Sequence, residues 1–117
     1  MAVSLLIVDD YPRFRSFARA LLSSEGFDVV GEAEDGAGAV AAALRLRPDV
    51  VLLDVQLPDA SGFLIAERLA QLPDPPQVVL ISTRDASTYR ERLDGARVRG
   101  FIAKADLSGD ALAALVE

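Results

Sequence analysis

The sequence predicts an α/β fold: a five-stranded parallel sheet of order 2-1-3-4-5 with helices on both faces. Three observations carry this. Apolar runs of strand length alternate with segments of helical periodicity along the whole chain. The connections are only a few residues long, which calls for right-handed crossovers. Two of the runs end directly in acid, and the order 2-1-3-4-5 sets those two strands side by side at the switch point, where ligands bind.

The first run, Val3-Ser4-Leu5-Leu6-Ile7-Val8, ends in Asp9-Asp10. Tyr11-Pro12-Arg13 then opens a helix with apolar residues at Phe14, Phe17, Ala18, Leu21 and Leu22, proline being tolerated in a first turn and Gly26 supplying the stop. Strand 2, 27–33, alternates more and so belongs nearer an edge. Asp35 caps the second helix, whose inward stripe is expected at Ala37, Val40, Ala41 and Leu44, with Arg45 and Arg47 well placed at its C-terminal end before Pro48.

Val50-Val51-Leu52-Leu53 is unbroken and apolar, the pattern of a strand buried on both faces, and it runs into Asp54 and the turn residues Gln56-Leu57-Pro58-Asp59. Ser61 and Gly62 lead into a third helix carrying Ile65, Ala66, Leu69 and Leu72, broken by Pro73, Pro75 and Pro76. Gln77-Val78-Val79-Leu80-Ile81 is the fourth strand and hands over to Ser82-Thr83-Arg84-Asp85. A fourth helix over 86–96 has only a thin stripe of Ala86, Tyr89 and Leu93, and the arginines from 90 to 99 read as its solvated face. Gly100-Phe101-Ile102-Ala103 is a short fifth strand ending at Lys104, and Ser108 caps a last helix with Ala111, Leu112, Leu115 and Val116.

At 117 residues the chain reads as one domain spanning 1–117. Without cysteine or histidine it offers no disulfide, no thiolate metal site and no imidazole base, so any metal is held by oxygen. A formal charge of -6 speaks against direct contact with nucleic acid. The first apolar run stops too soon for a signal peptide or a membrane span, which makes a cytoplasmic protein the default expectation.

On neighbouring strands about 4.8 Å apart, Asp9, Asp10 and Asp54 converge. Carboxylates that close need a cation, and oxygen ligands alone select a hard one, Mg2+ fitting best. Lys104 brings a positive charge and Ser82 a hydroxyl. A carboxylate nucleophile, a divalent cation, a lysine and a hydroxyl form a kit for phosphoryl transfer that ends in an aspartyl phosphate.

These residues, with the strings LLIVDDYP, PDVVLLDVQLPDASG and GFIAKADL, resemble the receiver domain of two-component response regulators, the CheY-like fold, and most of all the NarL-like group. The resemblance implies that Asp54 is the phosphoacceptor and Asp10 a direct Mg2+ ligand, with Asp9 acting on the metal largely through water. It also implies the backbone carbonyl of Gln56 facing the ion, Ser82 as the switch hydroxyl, Lys104 on the phosphoryl group and Phe101 as the aromatic switch position. The partner would be a sensor histidine kinase, with a homodimer left open. The chain would not be an enzyme beyond catalysing its own phosphorylation and dephosphorylation. Output would be transcription regulation through a DNA-binding domain that these residues do not supply, the alternative being a stand-alone phosphotransfer or interaction module.

Three departures stand out. Ala105 follows Lys104 where relatives carry proline, leaving the isomer of that peptide open. Phe101 replaces tyrosine, so a switch through a hydroxyl is expected to be excluded and ring burial alone to remain. Thr83 adds bulk beside the phosphoryl site.

Each site residue also has an ordinary reading: Asp9 or Asp10 as a helix cap, Asp54, Ser82 and Thr83 as turn residues, Lys104 as a solvated cation. Their joint placement at the carboxyl ends of strands favours one site over five coincidences. A flavin carrier of this topology would not put two acids in its phosphate loop. A phosphatase working through an aspartyl phosphate would carry an acid where Gln56 stands. A degenerate receiver would lack part of the set.

Overall fold

The structure, a computed structural model, describes residues 2–116. Five strands are present: β1 Ser4–Val8, β2 Asp28–Ala33, β3 Val50–Asp54, β4 Gln77–Ser82 and β5 Gly100–Ala103. They alternate with helices α1 Pro12–Ser24, α2 Gly36–Leu46, α3 Gly62–Ala70, α4 Arg90–Asp94 and α5 Gly109–Val116. All four pairings are parallel and the order is β2-β1-β3-β4-β5, as the sequence predicts.

The period-2 alternation of strand side chains divides the core into two layers. Leu6, Val8, Val51, Leu53, Val78 and Leu80 face α2, α3 and Tyr89. Leu5, Ile7, Val50, Leu52, Val79 and Ile81 face α1 and α5. Fully buried leucines and isoleucines contribute about 1.5–3 kcal/mol each relative to exposure, so strands β1, β3 and β4 supply most of the driving force for collapse.

Local chemistry places the connections. Gly26 takes φ +101°, a left-handed geometry that costs glycine little, and turns the chain from α1 into β2. The Asp35 carboxylate accepts from the Gly38 amide at 2.7 Å, Ser61 Oγ from the Phe63 amide at 3.1 Å and Ser108 Oγ from the Ala111 amide at 3.0 Å, each capping its helix. Asp59, from the loop after β3, accepts from the Gly36 and Ala37 amides at 2.8 and 3.0 Å and so ties that loop to the start of α2.

The structure corrects several expectations about faces. In α2 the inward stripe is Ala39, Val40, Ala42, Ala43 and Leu46, so Val40 faces the core as expected, while Ala37, Ala41 and Leu44 are exposed. Alanine occupies every face of that helix, so hydropathy does not fix its phase. In α1, Phe17 is exposed and rests beside Phe14, the ring centroids 6.2 Å apart. The fourth helix is a 3-10 turn, Ala86–Tyr89, running into the five residues of α4. Ala86 is exposed there, and Tyr89 alone is fully seated in the core.

The arginines after Tyr89 are not merely solvated. Arg92 stacks on the Phe63 ring, 4.2 Å from its centroid, and donates to Ser61 Oγ at 3.0 Å. Arg99 donates to the Leu115 carbonyl at 3.1 Å, fastening β5 to α5. The peptide after Lys104 is trans, and 104–106 form a single 3-10 turn.

Candidate functional site

Alternation along the strands also sorts the polar residues at their carboxyl ends. Asp9, Asp54 and Lys104 continue the positions of Ile7, Leu52 and Ile102, the layer beneath α1 and α5. Ser82 continues that of Leu80, in the layer that holds Tyr89 and Phe101. One sheet edge therefore presents an ionic cluster, and the hydroxyl predicted beside it belongs to the opposite layer.

In the cluster, Asp9 is fully buried, Asp54 buried and Asp10 exposed, and one carboxylate oxygen from each lies within 4.8 Å of the others. At an effective dielectric near 20, unit charges at that spacing repel by about 3 kcal/mol. Lys104 offsets part of this, its Nζ lying 2.6 Å from Asp9 Oδ2 and 3.1 Å from Asp54 Oδ2. Its ammonium also lies 4.5 Å from the centroid of the Phe14 ring, so α1 shields the charge from solvent.

Each carboxylate is held by backbone as well. The Tyr11 amide donates to Asp9 Oδ1 at 2.8 Å, and the Gln56 amide donates to Asp54 Oδ1 at 3.0 Å. Arg15 donates to the Asp9 carbonyl at 2.6 Å and pairs with Glu32, fixing the loop between β1 and α1. Close packing sets the other wall. The Gly62 amide donates to the Val55 carbonyl at 2.6 Å, and a Cβ on Gly62 would lie 2.3 Å from the Asp54 carbonyl oxygen.

Burial pushes the Asp54 carboxyl up to about 6; the Gln56 amide and Lys104 oppose the rise and Asp9 adds to it. Burial alone would lower Lys104, but its contacts with Asp9 and Asp54 outweigh that and hold it above the ordinary lysine value. The Asp54 carboxylate is thus destabilised as an anion while its counter-charge stays on.

The donor set suits a hard divalent cation. Asp9 Oδ2 is buried with no aligned hydrogen-bond donor, the Lys104 ammonium approaching it off the hydrogen-bond line. Three carboxylates face a single ammonium, and every candidate ligand atom is oxygen. A cavity of about 250 Å³ opens over the cluster between Asp10, Tyr11, Gln56, Pro58, Thr83 and Lys104, with Asp54 at its floor.

Of the residues singled out from the sequence, Asp9, Asp10, Asp54 and Lys104 come together, Gln56 and Thr83 line the cavity, and Phe101 sits half-buried beneath the neighbouring layer. Ser82 does not join them through its hydroxyl. Its Oγ lies 3.1 Å from the Tyr89 hydroxyl, both groups being buried. Phe101 brings no hydroxyl to this region, and Tyr89 supplies one from the fourth crossover. The Tyr89 ring stands between Phe63 and Phe101 with centroids 5.9 and 5.8 Å away. From the sequence Tyr89 is expected only in the core stripe of the fourth helix, and no sequence signal links it to Ser82.

The acidic cluster and its lysine sit at the carboxyl edge of a 2-1-3-4-5 sheet, where open α/β folds place their ligand sites. The family model for the response regulator receiver domain matches residues 5–117, and this chain belongs to that family: it is a receiver domain, not a classical enzyme.

Among its relatives, BvgA of Bordetella pertussis, named as a transcription regulator of virulence factors, is 32% identical over 100 residues, covering 86% of this chain and 48% of BvgA. The protein-glutamate methylesterase/protein-glutamine glutaminase of Alkalilimnicola ehrlichii is 39% identical over 115 residues, covering 94% of this chain and 29% of that protein. Among solved structures, the signal receiver domain of the response regulator NarL from Mycobacterium tuberculosis superposes with a TM-score of 0.83 at 32% identity, covering 97% of this chain and 96% of that one. The chain thus spans about half the length, or less, of the curated relatives it matches. Among the described residues no helix is long and apolar enough to cross a membrane.

Proposed function

We propose that this receiver takes a phosphoryl group from a phosphohistidine of a sensor histidine kinase onto Asp54, with Mg2+ bound by the acidic cluster. The observation that carries the reading is the buried Asp54 carboxylate, hydrogen-bonded to Lys104 at 3.1 Å and within reach of the same cation as Asp9 and Asp10. Asp9, Asp10 and Asp54 would hold the cation, with Asp9 contributing largely through water, and the Gln56 carbonyl would complete the protein's share. When bound, the cation neutralises charge on the phosphoryl oxygens and aligns them for in-line displacement.

The chain's own residues do the rest. An Asp54 carboxylate oxygen attacks phosphorus, the P–N bond to the donor imidazole breaks, and its electron pair stays on the departing ring nitrogen. The Gln56 amide and Lys104 hold the two Asp54 oxygens from different sides, so the nucleophile is oriented before the donor arrives. Lys104 then faces the equatorial oxygens, and Thr83 narrows the mouth of the cavity.

Phosphorylation adds about two negative charges. The added charge draws the Ser82 hydroxyl towards the phosphoryl group and lets Phe101 repack, changing the face formed by α4, β5 and α5. Output is transcription, through a DNA-binding domain outside these residues. BvgA, a transcription regulator by name and about twice the length of the matched stretch, supports this. The domain spans 1–117, and pairing of two copies belongs to the same reading.

Incubation with Mg2+ and a small acyl phosphate tests it. Intact mass should increase by one phosphoryl group in the native chain and not in Asp54→Asn. Equal uptake by the two proteins removes Asp54 from the reaction.

A further inference from the structure

The Ser82 hydroxyl and the Tyr89 hydroxyl lie 3.1 Å apart in a buried layer, and the Arg84 amide donates to the same Ser82 oxygen at 3.1 Å. The cavity over Asp54 is walled on this side by Thr83. Ser82 is therefore turned away from the group it is proposed to contact.

Tyr89 is itself held on every side. Phe63 and Phe101 flank its ring, Arg92 lies over the Phe63 ring, and Arg92 also donates to Ser61, which caps α3. Other anchors of the fourth crossover are weak: Ala86 is exposed, Leu93 is half-buried and α4 has five residues. The hydroxyl pair thus ties the turn 86–89 to the sheet, while the Arg99 amide, donating to the Val78 carbonyl at 2.7 Å, ties the far end of the crossover.

We propose that Tyr89 is a positioning residue for phosphorylation: through its hydroxyl it holds Ser82 out of the Asp54 cavity, and releasing Ser82 to the phosphoryl group frees the turn 86–89 and α4. The inference rests on the phosphoacceptor reading above and deepens it by naming what restrains the switch hydroxyl. Its physical basis is a conflict of partners. When Ser82 moves to a phosphoryl oxygen, the buried Tyr89 hydroxyl loses its partner, and a buried hydroxyl without a partner drives its ring towards water. The aromatic hydroxyl that reports phosphorylation comes from the fourth crossover, and Phe101 serves as the surface against which it packs.

Tyr89→Phe keeps the ring and deletes the tie. Phosphate uptake from a small acyl phosphate with Mg2+ should then be faster by roughly two- to tenfold, the worth of one net hydrogen bond expressed as a rate. In a Ser82→Ala background the same change should have no effect on uptake, which a merely structural role for the hydroxyl would not produce. Uptake in Tyr89→Phe equal to the native rate, with the native chain phosphorylated normally, overturns the proposal.

Amide exchange in the unmodified protein gives a second reading that does not depend on phosphorylation. Ser82→Ala should speed exchange over 86–94, and Ser82→Thr, which keeps the hydroxyl, should restore protection. If no variant takes up phosphate, the phosphoacceptor reading fails, and exchange still decides the tie: unchanged exchange in Ser82→Ala overturns it.

Discussion

Lys104, at the end of β5, spans the ends of β4 and β3 to place its Nζ 2.6 Å from Asp9 Oδ2 at the end of β1. The pair crosses most of the sheet edge, and it is buried: the lysine side chain is 10% exposed and the aspartate 0%. Removing one partner of such a pair leaves the other charge without compensation, and the resulting loss exceeds the net worth of the pair. Lys104→Ala should cost about 3 kcal/mol in urea unfolding measured in EDTA. Adding Mg2+ should return part of it, because the cation takes over as counter-charge. A variant as stable as the native chain in EDTA shows that Lys104 does not neutralise the cluster.

Asp54 makes stability depend on pH in an unusual direction. Its carboxyl holds a proton up to about 6 in the folded chain, against an ordinary value of 3.8. Between those values the folded state binds more protons than the unfolded one, so this group's contribution to stability falls as pH rises and is fully unfavourable above about pH 6. Asp54→Asn should therefore stabilise the metal-free protein at pH 7.5, by on the order of 2 kcal/mol, and much less at pH 4. Thermal unfolding of both proteins across that range measures the difference, and a gain at pH 4 equal to that at pH 7.5 rules out this origin.

Gly62 is a packing requirement of the site. A Cβ there would sit 2.3 Å from the Asp54 carbonyl oxygen and 2.8 Å from Val55 Cα, both backbone atoms that cannot turn aside. Gly62→Ala should destabilise by about 1–3 kcal/mol and displace the end of β3. Denaturant midpoints and the backbone chemical shifts of Asp54 and Val55 check this together.

Two arginines near the fourth crossover should behave differently. Arg92 lies over Phe63 at 4.2 Å and donates to Ser61, whereas Arg97 approaches Glu67 at 3.8 Å with both side chains well exposed. Arg92→Ala should cost about 0.5–1 kcal/mol and Arg97→Ala close to nothing. Equal losses in urea unfolding would show that the stacking contributes no more than a surface ion pair.

The sheet and the ionic cluster are legible in the sequence because both are written in strong, local signals. An unbroken apolar run such as Val50 to Leu53 has one economical fate, and the acid or lysine that ends it lands on the carboxyl edge. Helix phase was less legible. Phe14 and Phe17 fit one stripe equally well, yet Phe14 lies beneath Lys104 and Phe17 faces solvent. In α2 every phase offers alanine, and the choice of Ala39, Ala42 and Ala43 comes from packing against β2, β1 and α3. The Ser82–Tyr89 pair was invisible for another reason. Two common polar residues in different elements carry no joint pattern, and their contact follows only from the register that sends Ser82 into the layer of Leu80.

The central claim is that one carboxylate, Asp54, captures the phosphoryl group. Borohydride reduction of the phosphorylated protein followed by peptide sequencing by mass spectrometry reads this directly, since an acyl phosphate is reduced to an alcohol at the residue that bore it. The account predicts a single reduced position, at Asp54, appearing only when Mg2+ is present during phosphorylation. Reduction at Asp9, Asp10 or any other residue, or at Asp54 to the same extent without a divalent cation, would contradict it.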